Sequence, residues 1–197
     1  GVNIMANVDR PNGFRPVGHL SGGAYTGRVR KYYSVNDALF LGDIVEKEAT
    51  GTASGSGGYG GVDRFDSATA DIAVGVVVGW EIDPDNLARV HHAASTSLAV
   101  YINDDPMTIY EAQGDDASLA VTGIGENADV VIGSGSTTTG ASGMEIDTSS
   151  GVTTAGTPLK VIGLVEREDN DVSSANARWL VMLNMHAYKN DSGTAGI

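Results

Sequence analysis

Cysteine is absent from the 197-residue chain, which excludes disulfides, thiol nucleophiles, Fe–S clusters and the usual structural zinc sites. No run of about eighteen apolar residues is present, so no helical membrane span is expected, and the N-terminus has no charged-then-apolar leader pattern. Aromatic residues are scarce: two Trp and three Phe leave few rings on which a sugar could stack. Cations are in the minority, with 12 Lys+Arg against 25 Asp+Glu, a formal net charge of −13 and a pI near 4.4. Charged residues make up only 19% and hydrophobic residues 41%, which argues against wholesale disorder. A chain of this length can bury a substantial core.

Glycine is abundant, at 27 residues, well above the usual share of about 7%. Each Gly costs a helix about 1 kcal/mol relative to Ala, so a chain rich in Gly, Thr and Val is expected to form strands joined by tight turns. Strand-like stretches recur every 10–20 residues: Gly27–Val35, Leu39–Glu46, Ile72–Ile82, Ser97–Asn103, Met107–Gln113, Leu159–Arg167 and Arg178–Met185. Within Ile72–Ile82, Val74, Val76, Val78 and Trp80 alternate at period two and predict one buried face. Asp104-Asp105-Pro106 reads as the turn of a hairpin joining its two flanking strands. Asp116–Asn127 is the one credible helix, weakened by two glycines. Thr50–Gly61 and Gly133–Gly143 read as low-complexity loops, the first of them exposed and mobile. The expected fold is all-β, a small barrel or sandwich body with an extended N-terminal arm and at most one or two short helices.

Charge is unevenly placed. Residues 1–31 carry five cations against one acid, a net of +4; the seven cations and twenty-four acids that follow give −17. The N-terminal segment also holds Pro11, Pro16 and several glycines, which suit neither a helix nor a regular strand. The reading divides the chain into an extended arm (1–23), a β-rich body of one or two subdomains (24–188) and a flexible tail (189–197). Phe14, Val17 and Leu20 are expected to anchor the arm. A basic arm on an acidic body predicts a partner with a negative surface. Nucleic acid and membrane surfaces are disfavoured, because the −17 remainder would repel them.

The remaining motifs carry no catalytic constellation. Gly55-x-Gly57-x-x-Gly60 matches a dinucleotide fingerprint in form but lies in a Gly/Ser loop rather than between a strand and a helix. His91-His92 would point to opposite faces of a strand and is expected at the surface or a subunit contact. Acid clusters at Asp83/Asp85, Asp104/Asp105, Asp115/Asp116 and Glu166–Asp171 match no calcium loop and are expected as solvated turn acids. The expectation is therefore a binding protein with no catalytic residue, metal or cofactor.

Several blocks, in order and covering most of the chain, resemble the capsid cement (head decoration) proteins of tailed bacteriophages. They are Met5–Gly23 (MANVDRPNGFRPVGHLSGG), Val74–Asp83 with its Gly-Val-x-x-Gly-Trp pattern, and Asp104-Asp105-Pro106 followed by IYEAQ. Gly125–Asp129, Gly135–Asp147, Leu159–Asn170 and Trp179–His186 complete the set. The resemblance implies a protein on the outer surface of the virion's capsid that reinforces contacts between major capsid protein subunits and acts as a homo-oligomer, a trimer rather than a dimer. On that basis Arg10, Phe14, Arg15, Val17, Leu20, Arg28, Arg30 and Lys31 are expected to bind the capsid. Val74, Val76, Val78, Trp80, Trp179 and Leu183 are expected to form the core or the oligomer contact. Removing residues 1–23 should then abolish docking and leave the body folded. The alternative is a carbohydrate-binding or adhesion module of a virion surface or fibre, and a hydrolase using the acidic turns ranks third.

Overall fold

A computed structural model describes residues 7–34, 36–48, 59–66 and 72–196. The chain is all-β, as its composition predicts: among the described residues eleven strands form two antiparallel sheets, and the helical content is one 3-10 turn, Val121–Gly123. The six-stranded sheet has the order β1-β7-β11-β10-β8-β9. Its strands are β1 (Arg15–His19), β7 (Thr108–Gln113), β8 (Asn127–Val131), β9 (Glu145–Val152), β10 (Leu159–Leu164) and β11 (Arg178–Leu183). The five-stranded sheet has the order β2-β6-β5-β3-β4, from β2 (Arg30–Tyr33), β3 (Ile44–Lys47), β4 (Val62–Arg64), β5 (Ala73–Trp80) and β6 (Ala99–Asn103).

Two apolar cores result. The larger joins the sheets, with Ile44, Ala73 and Val76 meeting Tyr110, Ile146, Val161, Trp179 and Leu183. The second lies within the five-stranded sheet, where Tyr32, Leu39, Val45, Val74, Val77, Val100 and Ile102 pack together. Val74 and Val76 therefore serve different cores, although simple alternation put them on one face. The cause is the first of two register shifts. β5 slips against β3 next to Val74, and against β6 at Val78, and each extra residue inverts the alternation. Val78 and Trp80 end half-buried, with Trp80 at the margin of the second core.

Three further expectations change. Ser97–Asn103 and Met107–Gln113 do not form a hairpin: β6 belongs to the five-stranded sheet and β7 to the six-stranded one. Asp105 accepts the Met107 N–H at 3.0 Å, and Asn103 bonds Thr108 at 3.1 Å, so the turn carries the chain across the sandwich. The Asp116–Asn127 helix does not form. Asp116 is held by Thr148, Gly123 packs on Leu119, and Asn127 is drawn into β8 by bonds from its amide to the Thr154 and Thr194 carbonyls at 2.7 Å each. His92 is buried rather than exposed. Its backbone pairs with Leu39 in both directions at 2.9 Å, while His91 stacks on Phe40. Burial pushes the titration of both imidazoles down.

The N-terminal segment is part of the body. Phe14 is fully buried in the larger core, and Arg15–His19 pair along β7. The entry is clamped by Gly13 and Gly42, both with positive φ (67° and 91°), whose backbones press together so that Phe14 N–H donates to the Gly42 carbonyl at 2.9 Å. Gly133–Gly143 is likewise a fastened loop. A side chain at Gly140 would overlap the Val90 carbonyl, and Ser142 donates to buried Asp43 at 2.5 Å. The C-terminal segment is strapped down rather than frayed: Gly196 N–H donates to Thr153, and Lys160 reaches the Ala195 carbonyl, both at 2.9 Å. Most of the Thr50–Gly61 loop, including Gly55 and Gly57, lies outside the described residues.

Candidate docking surface

β1 is an edge of the six-stranded sheet and β2 an edge of the five-stranded sheet, so residues 15–33 supply one edge of each. An edge strand presents unpaired N–H and C=O groups, which another chain can use unless they are covered. Each edge is covered at one end by the chain's own backbone: His19 N–H donates to the Gly23 carbonyl at 2.9 Å, and Tyr33 bridges Gly61. The neighbours of the two edges, β7 and β6, are joined by the crossover at Asp104-Asp105-Pro106, and the acids of that crossover grip both edges.

Asp104 is buried. It accepts the Tyr32 hydroxyl at 2.6 Å and the Arg30 guanidinium at 2.7 Å. Burial, and then the bond to Asp104, raise the titration of Tyr32, which stays a neutral donor. The same Asp104 bond raises that of Arg30. Asp105 pairs with His19 at 3.3 Å, at the end of β1, and with Arg28 at 3.4 Å, just before β2. The Ser21 N–H donates to Nδ1 of His19, which places a neutral imidazole's proton on Nε2, facing Asp105. Leu20 N–H completes the join by donating to the Met107 carbonyl at 2.9 Å.

Behind this staple sits His186, fully buried, its ring tilted against Tyr188 and its Nδ1 accepting the Tyr188 N–H at 3.1 Å. Burial lowers its titration to about 4, against the pull of Asp104 and Asp105 toward the charged form. Tyr188 also meets Tyr32, hydroxyl to hydroxyl, at 3.1 Å. A polar cleft of about 420 Å³ opens between Arg28, Arg30, Asp104, Asp105 and Tyr188.

The expected capsid-binding residues divide. Val17 and Leu20 are surface apolar residues, 42% and 46% exposed, and Val29 beside Arg28 matches them at 46%. Arg15 is exposed opposite Glu111, and Arg10 is exposed with its N–H on Gln113. Arg28, Arg30 and Lys31 reach the surface but are paired within the chain, Lys31 with Glu81 at 3.7 Å and over the Tyr33 ring. Phe14 cannot touch a partner because it lies in the core. Of the expected core or oligomer residues, Val74, Val76, Trp179 and Leu183 are interior and hold the protomer together, which leaves Val78 and Trp80 partly accessible.

The reading of residue types missed Asp104 and Asp105 as the hub of this surface, together with His19, Tyr188 and His186. Asp-Asp-Pro has the composition of a solvated turn, and nothing local reveals that arginines some 75 positions earlier fold onto it. The other acid clusters are also used internally: Asp83 holds Arg89 at 2.6 Å, Asp115 and Asp116 hold Thr148, and Asp171 holds Ser173 and Ser174. No protein-family model, curated protein or solved structure matches the chain.

Proposed function

We propose that this chain is a structural decoration protein of a tailed-bacteriophage head. It binds the outer surface of the shell, spans boundaries between major capsid protein subunits and performs no reaction. The observation that carries the docking reading is the pair of sheet edges, β1 and β2, stapled together by Asp104 and Asp105 and bearing exposed Val17, Leu20 and Val29 among Arg15, Arg28 and Lys31. Such an edge can extend a partner's sheet by main-chain bonds, while apolar and cationic side chains set register. The assignment to a phage shell rests on the sequence blocks, which the all-β body accommodates. Assembly as a trimer, in preference to a dimer, would multiply weak contacts at each lattice position. The adhesion alternative needs a concave aromatic site, and the polar cleft beside Asp104 is lined by one ring, Tyr188.

The test is occupancy of purified heads by the wild-type protein and by Val17→Asp/Leu20→Asp, both positions being exposed and outside the cores. Occupancy is expected to fall at least about tenfold for the variant, which removes two apolar contacts of about 1 kcal/mol or more each. Equal occupancy, or cryo-microscopy density away from every coat-subunit boundary, would overturn the proposal.

A further inference from the structure

Four of the chain's twelve cations gather around the end of the six-stranded sheet, away from the Asp104 staple: Arg10, Arg15, Arg167 and Arg178. Asp9, Glu111 and the Glu166–Asp171 run lie near them in the chain or the fold, but among the described residues only Glu111 and Asp169 pair with these arginines. Glu111 is shared between Arg167 at 3.5 Å and Arg178 at 3.6 Å, and Asp169 takes Arg167 at 3.3 Å. Arg10 has no ion pair among the described residues, although Asp9 lies near, held by Gln113. Arg178 is a fixed part of the wall, its guanidinium donating to Asn12 at 3.2 Å and to the Arg10 carbonyl at 3.1 Å. Burial, with Arg167 and Arg15 as like-charged neighbours, lowers its titration, although Glu111 opposes this.

Between these groups lies a cleft of about 320 Å³ walled by Arg10, Arg167 and Arg178, by one acid, Asp169, and by Asn7, Asn170 and Asn176, with Val8 exposed on its rim. Asn7 is pinned by bonds from its amide to the carbonyls of Asp171 and Ala175, so the wall is built rather than loose. We infer that this cleft takes the carboxylates of an acidic polypeptide segment, with Arg10 and Arg167 closing on the acid and Val8 packing beside it.

Charge selects the occupant. A molecule at −13 that lines one cleft with three arginines against a single acid, Asp169, is complementary there to a short acidic stretch and repels an extended polyanion. Guanidinium groups bind planar carboxylates in pairs of parallel bonds, and an apolar rim residue suits a peptide better than a bare anion. The inference deepens the docking reading by naming the chemistry of the partner's contact, and two measurements keep them apart.

The first is titration of the full chain with a short oligoglutamate peptide, for wild type, Arg10→Glu, Arg167→Gln and a Lys189→Glu control elsewhere on the surface. Affinity is expected to drop about tenfold or more in the first two variants, the loss of one charge-assisted bond, and to stay within about twofold for the control. Equal loss in the control, or no loss in Arg10→Glu, overturns the inference. Displacement of the peptide by inorganic phosphate at matched ionic strength overturns it too, by showing a small-anion site. The second is head occupancy: peptide binding lost in Arg10→Glu with occupancy unchanged keeps the acidic-segment site and removes it from shell docking. Peptide binding intact with no occupancy by any form refutes the docking reading alone.

Discussion

At the scale of single residues, burial decides roles that residue type leaves open. His186 shows it: fully buried, it is held neutral to about pH 4, whereas an imidazole in the unfolded chain takes its proton near pH 6.5. Between these values the unfolded chain binds the extra proton. The stabilisation is complete above pH 6.5, declines as the pH falls through the window, and is gone by about pH 4. The groups facing the ring divide, Asp104 and Asp105 favouring the proton and Lys189 opposing it. Denaturant unfolding at pH 7.5 and 4.5 is therefore expected to show wild type losing more stability on acidification than His186→Gln. The excess approaches roughly 3 kcal/mol, because each pH step between the unfolded and folded titrations is worth about 1.4 kcal/mol. His91 and His92, also lowered by burial, keep a residual slope in the variant. An identical pH dependence in both proteins would show that His186 is not held neutral.

At the scale of elements, the N-terminal segment is the case that matters most. A stretch with Pro11, Pro16 and basic residues reads as a detached arm, yet Phe14 plugs the larger core and β1 covers the side of β7. Phe14→Ala alone is expected to cost about 3–5 kcal/mol, against a total of about 5–15 for a domain. Removing residues 1–23 also strips β1 and bares the flank of β7 for aggregation. The deletion is thus expected to abolish the cooperative melt or lower the Tm by more than about 10 °C, followed by circular dichroism and size exclusion. A truncated protein that melts as wild type does would restore the arm as a separable part. The slip in β5 at Val74 acts at the same scale: by inverting the alternation it sends Val74 and Val76 to different cores.

At the scale of the whole molecule, the segregation of charge survives folding but changes meaning. Arg28, Arg30 and Lys31 are paired with Asp105, Asp104 and Glu81, so part of the N-terminal +4 is answered within the chain although these side chains still reach the surface. The cationic surface left over draws on both ends of the chain, Arg10 and Arg15 from one, Arg167 and Arg178 from the other. Docking through it is expected to weaken steadily with salt, because the screening length falls from about 10 Å at 0.1 M to about 3 Å at 1 M. Occupancy of heads measured across that range checks this, and a flat profile would assign docking to Val17, Leu20 and Val29 alone.

What the sequence determined by itself is the class of structure and the sign of its charge. Gly, Val and Thr content, period-two runs and Asp/Asn/Gly turns act over a few residues, and they suffice to place β2, β5, β6, β7, β10 and β11 within the expected stretches, and β3 in one that it overruns by Lys47. Partnership is another matter. Which sheet receives β6 or β7, whether Phe14 is anchor or core, and whether Asp104 meets water or Arg30 all depend on residues tens of positions apart. Strand pairing and burial are long-range, and a local pattern is compatible with several of them; only the folded sandwich, where strand edges and apolar faces meet, selects one.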